Sequence, residues 1–186
     1  MALLDVQNLS IGYQTAEGLL QAVEGVSFCL EAGQSLGLVG ESGCGKTTIG
    51  MALMGLLPPN GRITDGHVLL NGQDLYAMDE DALRKVRWKD VAMIFQAAMN
   101  ALNPVQRVGD QMIEAIVVHQ PQVSKEEARR QVEGLYQLVG MPVDRIDDFP
   151  HQYSGGMKQR AIIAMALANK PKLIIADEPT TALDVI

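Results

Sequence analysis

The sequence predicts an α/β fold with an antiparallel β subdomain at the front, a core built on a phosphate-binding P-loop, and a helical subdomain behind it. Three observations carry that expectation. Gly40-Glu41-Ser42-Gly43-Cys44-Gly45-Lys46-Thr47-Thr48 fits the pattern G-x-x-x-x-G-K-[ST] and lies between a short apolar run and a helical pattern. Strand-like runs come before it, and another run after it ends in Asn71-Gly72, a type I′ turn signal. From Val108 onward the apolar residues recur at the spacing of amphipathic helices.

Taken in order, Leu3 to Tyr13 and Leu19 to Leu30 read as strands, the second with Val26, Phe28 and Leu30 on one face and Ser27, Cys29 and Glu31 on the other. Glu31-Ala32-Gly33-Gln34 turns the chain into Leu36-Gly37-Leu38-Val39, which is short, apolar and bounded by glycines, and is expected to be a buried parallel strand. Behind the P-loop, Ile49, Leu53 and Leu56 mark a helix that stops at Pro58-Pro59-Asn60-Gly61. His67 to Leu70 forms a strand entering the turn at Asn71-Gly72. Asp79 caps a short helix running to Trp88, Val91 to Phe95 is a second buried strand ending at Gln96, and Ala97 to Arg107 is a loop.

The helical section opens with Val108 to His119, carrying Met112, Ile113 and Ile116 on one side. Ser124 with Glu127 three residues on is a capping box for the next helix, whose buried stripe is Ala128, Val132, Leu135 and Leu138 and whose end is set by Gly140 and Pro142. Ser154 caps a third helix with Ile163, Ala164 and Leu167 on one face, stopping at Pro171. Leu173 to Ala176 is an apolar strand that runs into Asp177-Glu178. The expected layout is residues 1–96 for the β subdomain and P-loop core, 97–168 for the helical subdomain, and 169–186 for the last strand and the loop after it.

Composition narrows the function classes. A chain of 186 residues, 47% hydrophobic and 20% charged, has enough apolar material for one sizeable core, alone or with a subdomain. Fifteen Lys and Arg against 22 Asp and Glu leave a net charge of −7, which argues against a broad nucleic-acid surface, so no nucleic-acid partner is expected. Cys29 and Cys44 make no disulfide framework, and a disulfide at Cys44 would obstruct the P-loop, so a reducing setting is expected. No apolar run approaches the ~18 residues of a spanning helix, and the first residues lack the basic start of a signal peptide. The chain is therefore expected to be soluble or peripheral to a membrane. His119 and His151 lack metal-ligand spacing.

Three stretches bear chemistry. In the first, Gly43 and Gly45 let successive backbone N–H groups point inward, and the following helix adds its positive end to that anion nest. Lys46 is expected to reach the β- and γ-phosphates of a nucleotide, and Thr47 to ligate the bridging Mg²⁺. In the second, Tyr153-Ser154-Gly155-Gly156-Met157-Lys158-Gln159-Arg160, two readings stay open: a helix cap with glycines for the turn, or a second helix N-terminus open to an anion. In the third, Asp177 suits Mg²⁺ through water, and Glu178 suits the orientation or deprotonation of a water attacking the γ-phosphate. The bland alternative for that pair is a solvated acidic turn.

The ordered set Gly40–Thr48, Gln96, Tyr153–Met157, Asp177-Glu178 and Thr181-Ala182-Leu183-Asp184 resembles the nucleotide-binding subunit of an ABC transporter over nearly the whole chain. The finer pattern of the P-loop, Leu102-Asn103-Pro104-Val105 and Phe149-Pro150-His151-Gln152 is similar to the dipeptide, oligopeptide and nickel importer group. The resemblance implies ATP and Mg²⁺ as cofactors, with Gly40, Glu41, Ser42, Gly43, Cys44, Gly45, Lys46, Thr47 and Thr48 around the phosphates and Tyr13 stacked on adenine. It implies that Gln96 touches Mg²⁺ and the attacking water while sensing the membrane subunit. Ser154, Gly155, Gly156 and Met157 would bind the γ-phosphate held by a facing subunit, and Asp184 would lie in the loop joining the two sites. Glu178, Lys46 and Gln96 are then the catalytic group, and Thr47, Gln96 and Asp177 surround the metal. The implied partners are a second ATP-binding subunit, membrane-spanning permease subunits and, indirectly, an extracytoplasmic solute-binding protein, with the chain peripheral on the cytoplasmic face of the membrane.

Two departures stand inside the motifs: Met157 where the family usually has Gln, and Tyr153 where Leu is common. A third is that the family fold continues past the position of Ile186 with another strand, which lies between the P-loop strand and the strand of Asp177-Glu178, and with a histidine that contacts the γ-phosphate. The chain is thus expected to be an incomplete domain, with an open slot between those strands and weakened nucleotide handling. Two other classes share features with it. A DNA-repair or chromosome-organising ABC ATPase would carry a long coiled-coil or zinc-bearing insertion, which this sequence lacks, and a nucleotide-binding module without turnover remains open. A P-loop GTPase would need an N-K-x-D motif, which the sequence does not contain.

Overall fold

The computed structural model describes residues 2–95 and 101–178. They fall into two compact units, Met1–Arg87 and Trp88–Ile186.

The first unit is built on an antiparallel sheet of β1 (Leu4–Thr15), β2 (Gly18–Leu30), β3 (Gly61–Leu70) and β4 (Gln73–Asp74), in the order β2-β1-β3-β4. β1 is flanked on both sides, and its Leu4, Val6, Leu9 and Ile11 are buried. Both of its ladders slip near Asn8, which takes a left-handed φ of 49° and donates its amide to Ser27 Oγ at 2.8 Å. Across that bulge Gly66, at φ 86°, lies so close to the backbone of Gln7 and Asn8 that a Cβ would collide with it. On β2, half-buried Val26, Phe28 and Leu30 alternate with exposed Ser27 and Cys29, as their spacing predicts. Asn71 and Gly72 both take positive φ, 51° and 77°, the signature of the expected type I′ turn. β3 begins at Gly61 rather than His67, because Gly12 and Tyr13 of β1 extend the ladder to Arg62 and Gly61.

The helices of this unit are α1 (Lys46–Leu53) and α2 (Glu80–Val86). α1 is shorter than its apolar spacing suggests: Gly55 at φ 61° ends it, so Leu56 lies beyond. Asp79 caps α2 by accepting from the Ala82 amide at 2.8 Å. The strand expected at Leu36–Val39 is not formed. Residues 31–44 are exposed, with Val39 98% exposed. A parallel strand is held by hydrogen bonds from neighbours on its edges, and apolar composition alone does not supply them.

In the second unit β5 (Val91–Ile94) and β6 (Leu173–Ala176) pair in parallel, register Val91 with Leu173 through Ile94 with Ala176. Around them α3 (Val108–His119), α4 (Lys125–Leu138) and α5 (Gly155–Leu167) form one core, in which Met112, Ile116, Val132, Tyr136 and Ala161 are fully buried. Ser124 caps α4 by accepting from Glu127 N at 3.2 Å. The buried stripe of α4 runs Ala128, Val132, Tyr136, an i, i+4, i+8 row, while Leu138 faces out at 70% exposure. The helix closes in a Schellman motif, with Met141 N on Tyr136 O, Gly140 N on Gln137 O and Gly140 at φ 68°. α5 is buried on most sides rather than along one stripe: Ile162 is inside where Ile163 was expected, and alanines 161, 164 and 166 allow close packing. Trp88 opens the unit at φ 67°, donates its indole N–H to Met165 O at 2.7 Å, and meets His119 edge-on.

Candidate functional site

The P-loop takes its shape from its own backbone and one lysine. Gly43 and Gly45 sit at φ 81° and 95°. A Cβ on Gly45 would lie 3.0 Å from Ala22 O and 3.1 Å from Val23 Cγ2, so a side chain there would be both strained in conformation and tight against its neighbours. Gly45 is also the residue preceding α1 and offers no side-chain cap. The first-turn amides of a helix have no partners within it, so those of α1 are left for the loop or an anion. Lys46 Nζ donates back to Gly40 O at 2.8 Å and Glu41 O at 2.7 Å, and stands 3.6 Å from Cys44 Sγ. Cys44 Sγ occupies the space that a Cβ on Gly40 would need.

Tyr13, at the end of β1, donates its hydroxyl to Thr48 Oγ1 at 3.2 Å, and its ring covers Gly61, where a Cβ would come within 2.8 Å. The first unit therefore brings Tyr13 together with the stretch Gly40–Thr48. One ammonium, the helix-end amides and the Thr47 hydroxyl form a donor set that suits a polyphosphate and a hard cation bound to it.

The second unit holds the other two stretches. Ser154 caps α5 by accepting from Met157 N at 3.3 Å, and its own carbonyl accepts from Lys158 N. Ser154 and Gly155 are exposed, and a Cβ on Gly156 would meet nothing within 4 Å. Both readings of the stretch therefore fit: it is a capped helix start, and it is also an open one. Behind it, Tyr153 is buried, with its hydroxyl 2.6 Å from that of Tyr136 and 2.7 Å from Arg145 O. Burial raises the pKa of both phenols, and the Tyr153 partner raises that of Tyr136 further. Arg160 reaches from α5 to the end of α4, donating to Gly140 O at 3.0 Å and Val139 O at 3.3 Å.

Asp177 follows β6 and continues its ladder, Asp177 N to Ile94 O at 2.9 Å; Glu178 then turns away at φ 47°, exposed. The left-handed turn takes Glu178 out of the strand one residue past Asp177. Gln96 and Thr181–Asp184 lie outside the described residues. Sequence reasoning did not single out Tyr136 or Arg160. The signal for Tyr136 was its place in the Ala128, Val132 row, while Arg160 gave none, since its acceptors are backbone carbonyls of another helix.

Residues 23–181 match the family described as ABC transporter. The chain is 49% identical over 185 residues to the dipeptide transport ATP-binding protein DppD of Bacillus subtilis, covering 98% of this chain and 55% of that protein. It is 48% identical to the oligopeptide transport ATP-binding protein OppD of the same organism, covering 98% and 52%, and 47% identical to OppD of Escherichia coli, covering 99% and 55%. The chain thus spans about half the length of the curated relatives it matches. Among solved structures it is similar to a dimeric bacterial ABC transporter cassette, with a TM-score of 0.87 at 28% identity over 97% of this chain and 76% of that one. A cassette in a post-hydrolysis state bound to ADP and Pi matches with the same TM-score and identity. With the glycine loop, the capped α5 and the Asp177-Glu178 strand end all inside the matched span, the chain belongs to the ABC transporter family.

Proposed function

We propose that this chain is the ATP-binding and ATP-hydrolysing cassette of a subunit that powers import of peptides, or a related small solute, through a membrane permease. The observation that carries the reading is the Gly40–Thr48 loop, with Lys46 at the positive end of α1, in a chain 46–49% identical to dipeptide and oligopeptide transport ATP-binding proteins. Lys46 exchanges the carbonyls of Gly40 and Glu41 for β- and γ-phosphate oxygens, and the amides after Gly43 and Gly45 hold the same oxygens. Mg²⁺, when bound, would supply charge neutralisation for the phosphates; the Thr47 hydroxyl, Gln96 and, through water, the Asp177 carboxylate are the residues that would hold it. Tyr13 packs against adenine, and Glu178 takes the proton of the attacking water.

Ser154, Gly155, Gly156 and Met157 close over the γ-phosphate of a facing ATP-binding subunit, and Asp184 joins the two sites. This assigns residues 1–96 to the β subdomain and P-loop core, 97–168 to the helical subdomain, and 169–186 to the last strand and its following loop. The subunit sits peripherally on the cytoplasmic face of the membrane, beside its permease and, across it, a solute-binding protein.

Glu178→Gln in the full-length subunit tests the chemistry. ATP binding is expected to persist while turnover falls by ~10²–10⁴-fold. Unchanged turnover would reduce Glu178 to a polar cap. Uptake of a labelled peptide into vesicles that hold the permease and subunit tests the transport assignment; nickel uptake without peptide uptake would move it to the metal importers. One observation favours the second reading, a nucleotide-binding module without turnover: residues 36–39, which lead into the P-loop, are exposed and form no strand. Turnover by residues 1–186 measured beside the full-length subunit separates the two, since equal rates would exclude the module reading.

A further inference from the structure

The second helix start has support that its motif does not explain. Ser154 is exposed, yet the residue before it is held in the core: Tyr153 is 5% exposed, and its hydroxyl reaches two partners. A phenol has a single proton to give, and Arg145 O can only accept. The Tyr153 hydroxyl therefore donates to Arg145 O, and the fully buried Tyr136 donates to the Tyr153 oxygen, which fixes the direction of the chain Tyr136 to Tyr153 to Arg145.

The anchor at the far end is itself fixed. Ile146 and Asp148, close to Arg145 in the chain, accept the Gly109 and Val108 amides at the start of α3, 2.9 and 3.0 Å away. Gly109 sits so close to Ile146 that a Cβ would collide with it. An apolar residue at position 153 could fill the same volume but could not hold the chain to Arg145.

We propose that Tyr153 is a positioning residue for the phosphate-binding amides of α5: its hydroxyl tether to Arg145, oriented by Tyr136, sets the direction in which Ser154, Gly155 and Gly156 present themselves to the γ-phosphate of the facing subunit. This deepens the proposed function and rests on it for the identity of the ligand.

The test compares three variants in the full-length subunit. Y153F strands the Tyr136 hydroxyl in the core and is expected to lower stability as well as function. Y136F/Y153F removes both hydroxyls at nearly constant shape, so its melting temperature is expected within about 4 °C of the parent. The tether is still gone. ATP-driven dimerisation and kcat are expected to fall at least about tenfold in this double variant, because amides that wander by fractions of an ångström no longer meet the phosphate. ATP binding to the single chain, which uses the P-loop, is expected to stay within about twofold. Y136F keeps the Tyr153 to Arg145 bond and is expected to fall between parent and double variant.

Hydrogen exchange separates this proposal from the reading it rests on. The Met157 and Lys158 amides, which bond to Ser154 Oγ and O, are expected to exchange about tenfold faster in the double variant whether or not ATP is hydrolysed. Parent-like exchange and dimerisation in Y136F/Y153F overturn the positioning role. Faster exchange in a protein that never hydrolyses ATP keeps the positioning role and removes the ATPase reading instead.

Discussion

At the start of α1, Gly43 and Gly45 take φ of 81° and 95° and the loop folds onto its own Lys46, whereas at the start of α5 Ser154 has an ordinary φ of −67° and a side-chain cap that accepts from Met157 N. The first is shaped largely from within, by residues a few positions apart, with Ala22 and Val23 close to Gly45 and Tyr13 bonded to Thr48 as its more distant supports. The second is shaped from behind, by Tyr136, Tyr153 and Arg160, which tie α5 to α4 and the chain after it. Both end as helix N-termini beside glycines, so both can offer amides to an anion. They differ in what must be intact for the offer to be made: local conformation in one, long-range packing in the other.

The strongest test of that contrast is Lys46→Ala. Its ammonium bonds to atoms of its own loop, so the melting temperature should hardly move, while hydrolysis by the full-length subunit should fall by at least ~10²-fold for loss of the main cation on the γ-phosphate. Activity near the parent level would remove the P-loop from the mechanism. Ser154→Arg is the matching test at α5. It gives up a cap worth ~1 kcal/mol and fills the open helix end, so hydrolysis should be blocked while each chain still binds nucleotide. Normal ATP-driven dimerisation in this variant would rule out a composite site.

A paired glycine experiment probes the same difference through smaller effects. Gly45→Ala must hold a left-handed conformation and press on Ala22 O, so about 1–3 kcal/mol of stability or nucleotide affinity should be lost. Gly156→Ala has open space in a helix and should stabilise α5 by up to ~1 kcal/mol, yet weaken dimerisation by covering the amides. Loss of stability at both positions would show that the two helix starts are built alike.

The smallest effect lies on the outside of the second unit. Arg129 holds Asp147 in a two-pronged hydrogen bond, 2.9 and 2.8 Å, which keeps that carboxyl below its ordinary pKa. A carboxyl depressed on folding contributes stability above its unfolded pKa, and the contribution fades as pH falls through the lower folded value. Both side chains are more than a third exposed, so Asp147→Asn should cost less than ~1 kcal/mol at neutral pH and nothing in strong acid. Denaturant midpoints at the two pH values check it.

The same contrast explains what could be read in the sequence. The hairpin at Asn71-Gly72, the caps Asp79, Ser124 and Ser154, and the α1 loop were legible because a few adjacent residues determine them. Leu36–Val39 was misread because a strand exists only with neighbours, and composition does not report whether they are in place. Leu138 was placed inside and Tyr136 was passed over because apolar spacing ranks a leucine above a tyrosine, while the hydroxyl partner that admits Tyr136 to the core comes from Tyr153, itself held by Arg145. Arg160 could not be read at all, since what it binds is the carbonyl end of another helix.

The chain's one tryptophan, Trp88, belongs wholly to the second unit, with its indole bonded to Met165 and its ring edge against His119. Indole emission therefore reports on the packing around Met165 and His119 in that unit. Burial and nearby Lys89 hold the His119 pKa below its usual value, so the ring beside the fluorophore stays neutral, and a weaker quencher, until the solution is more acidic than ordinary histidines require. A denaturant titration followed by tryptophan emission would thus track α3, α5 and their core, and any lag between it and a circular-dichroism signal of the whole chain would be a direct optical reading of how tightly the two units unfold together.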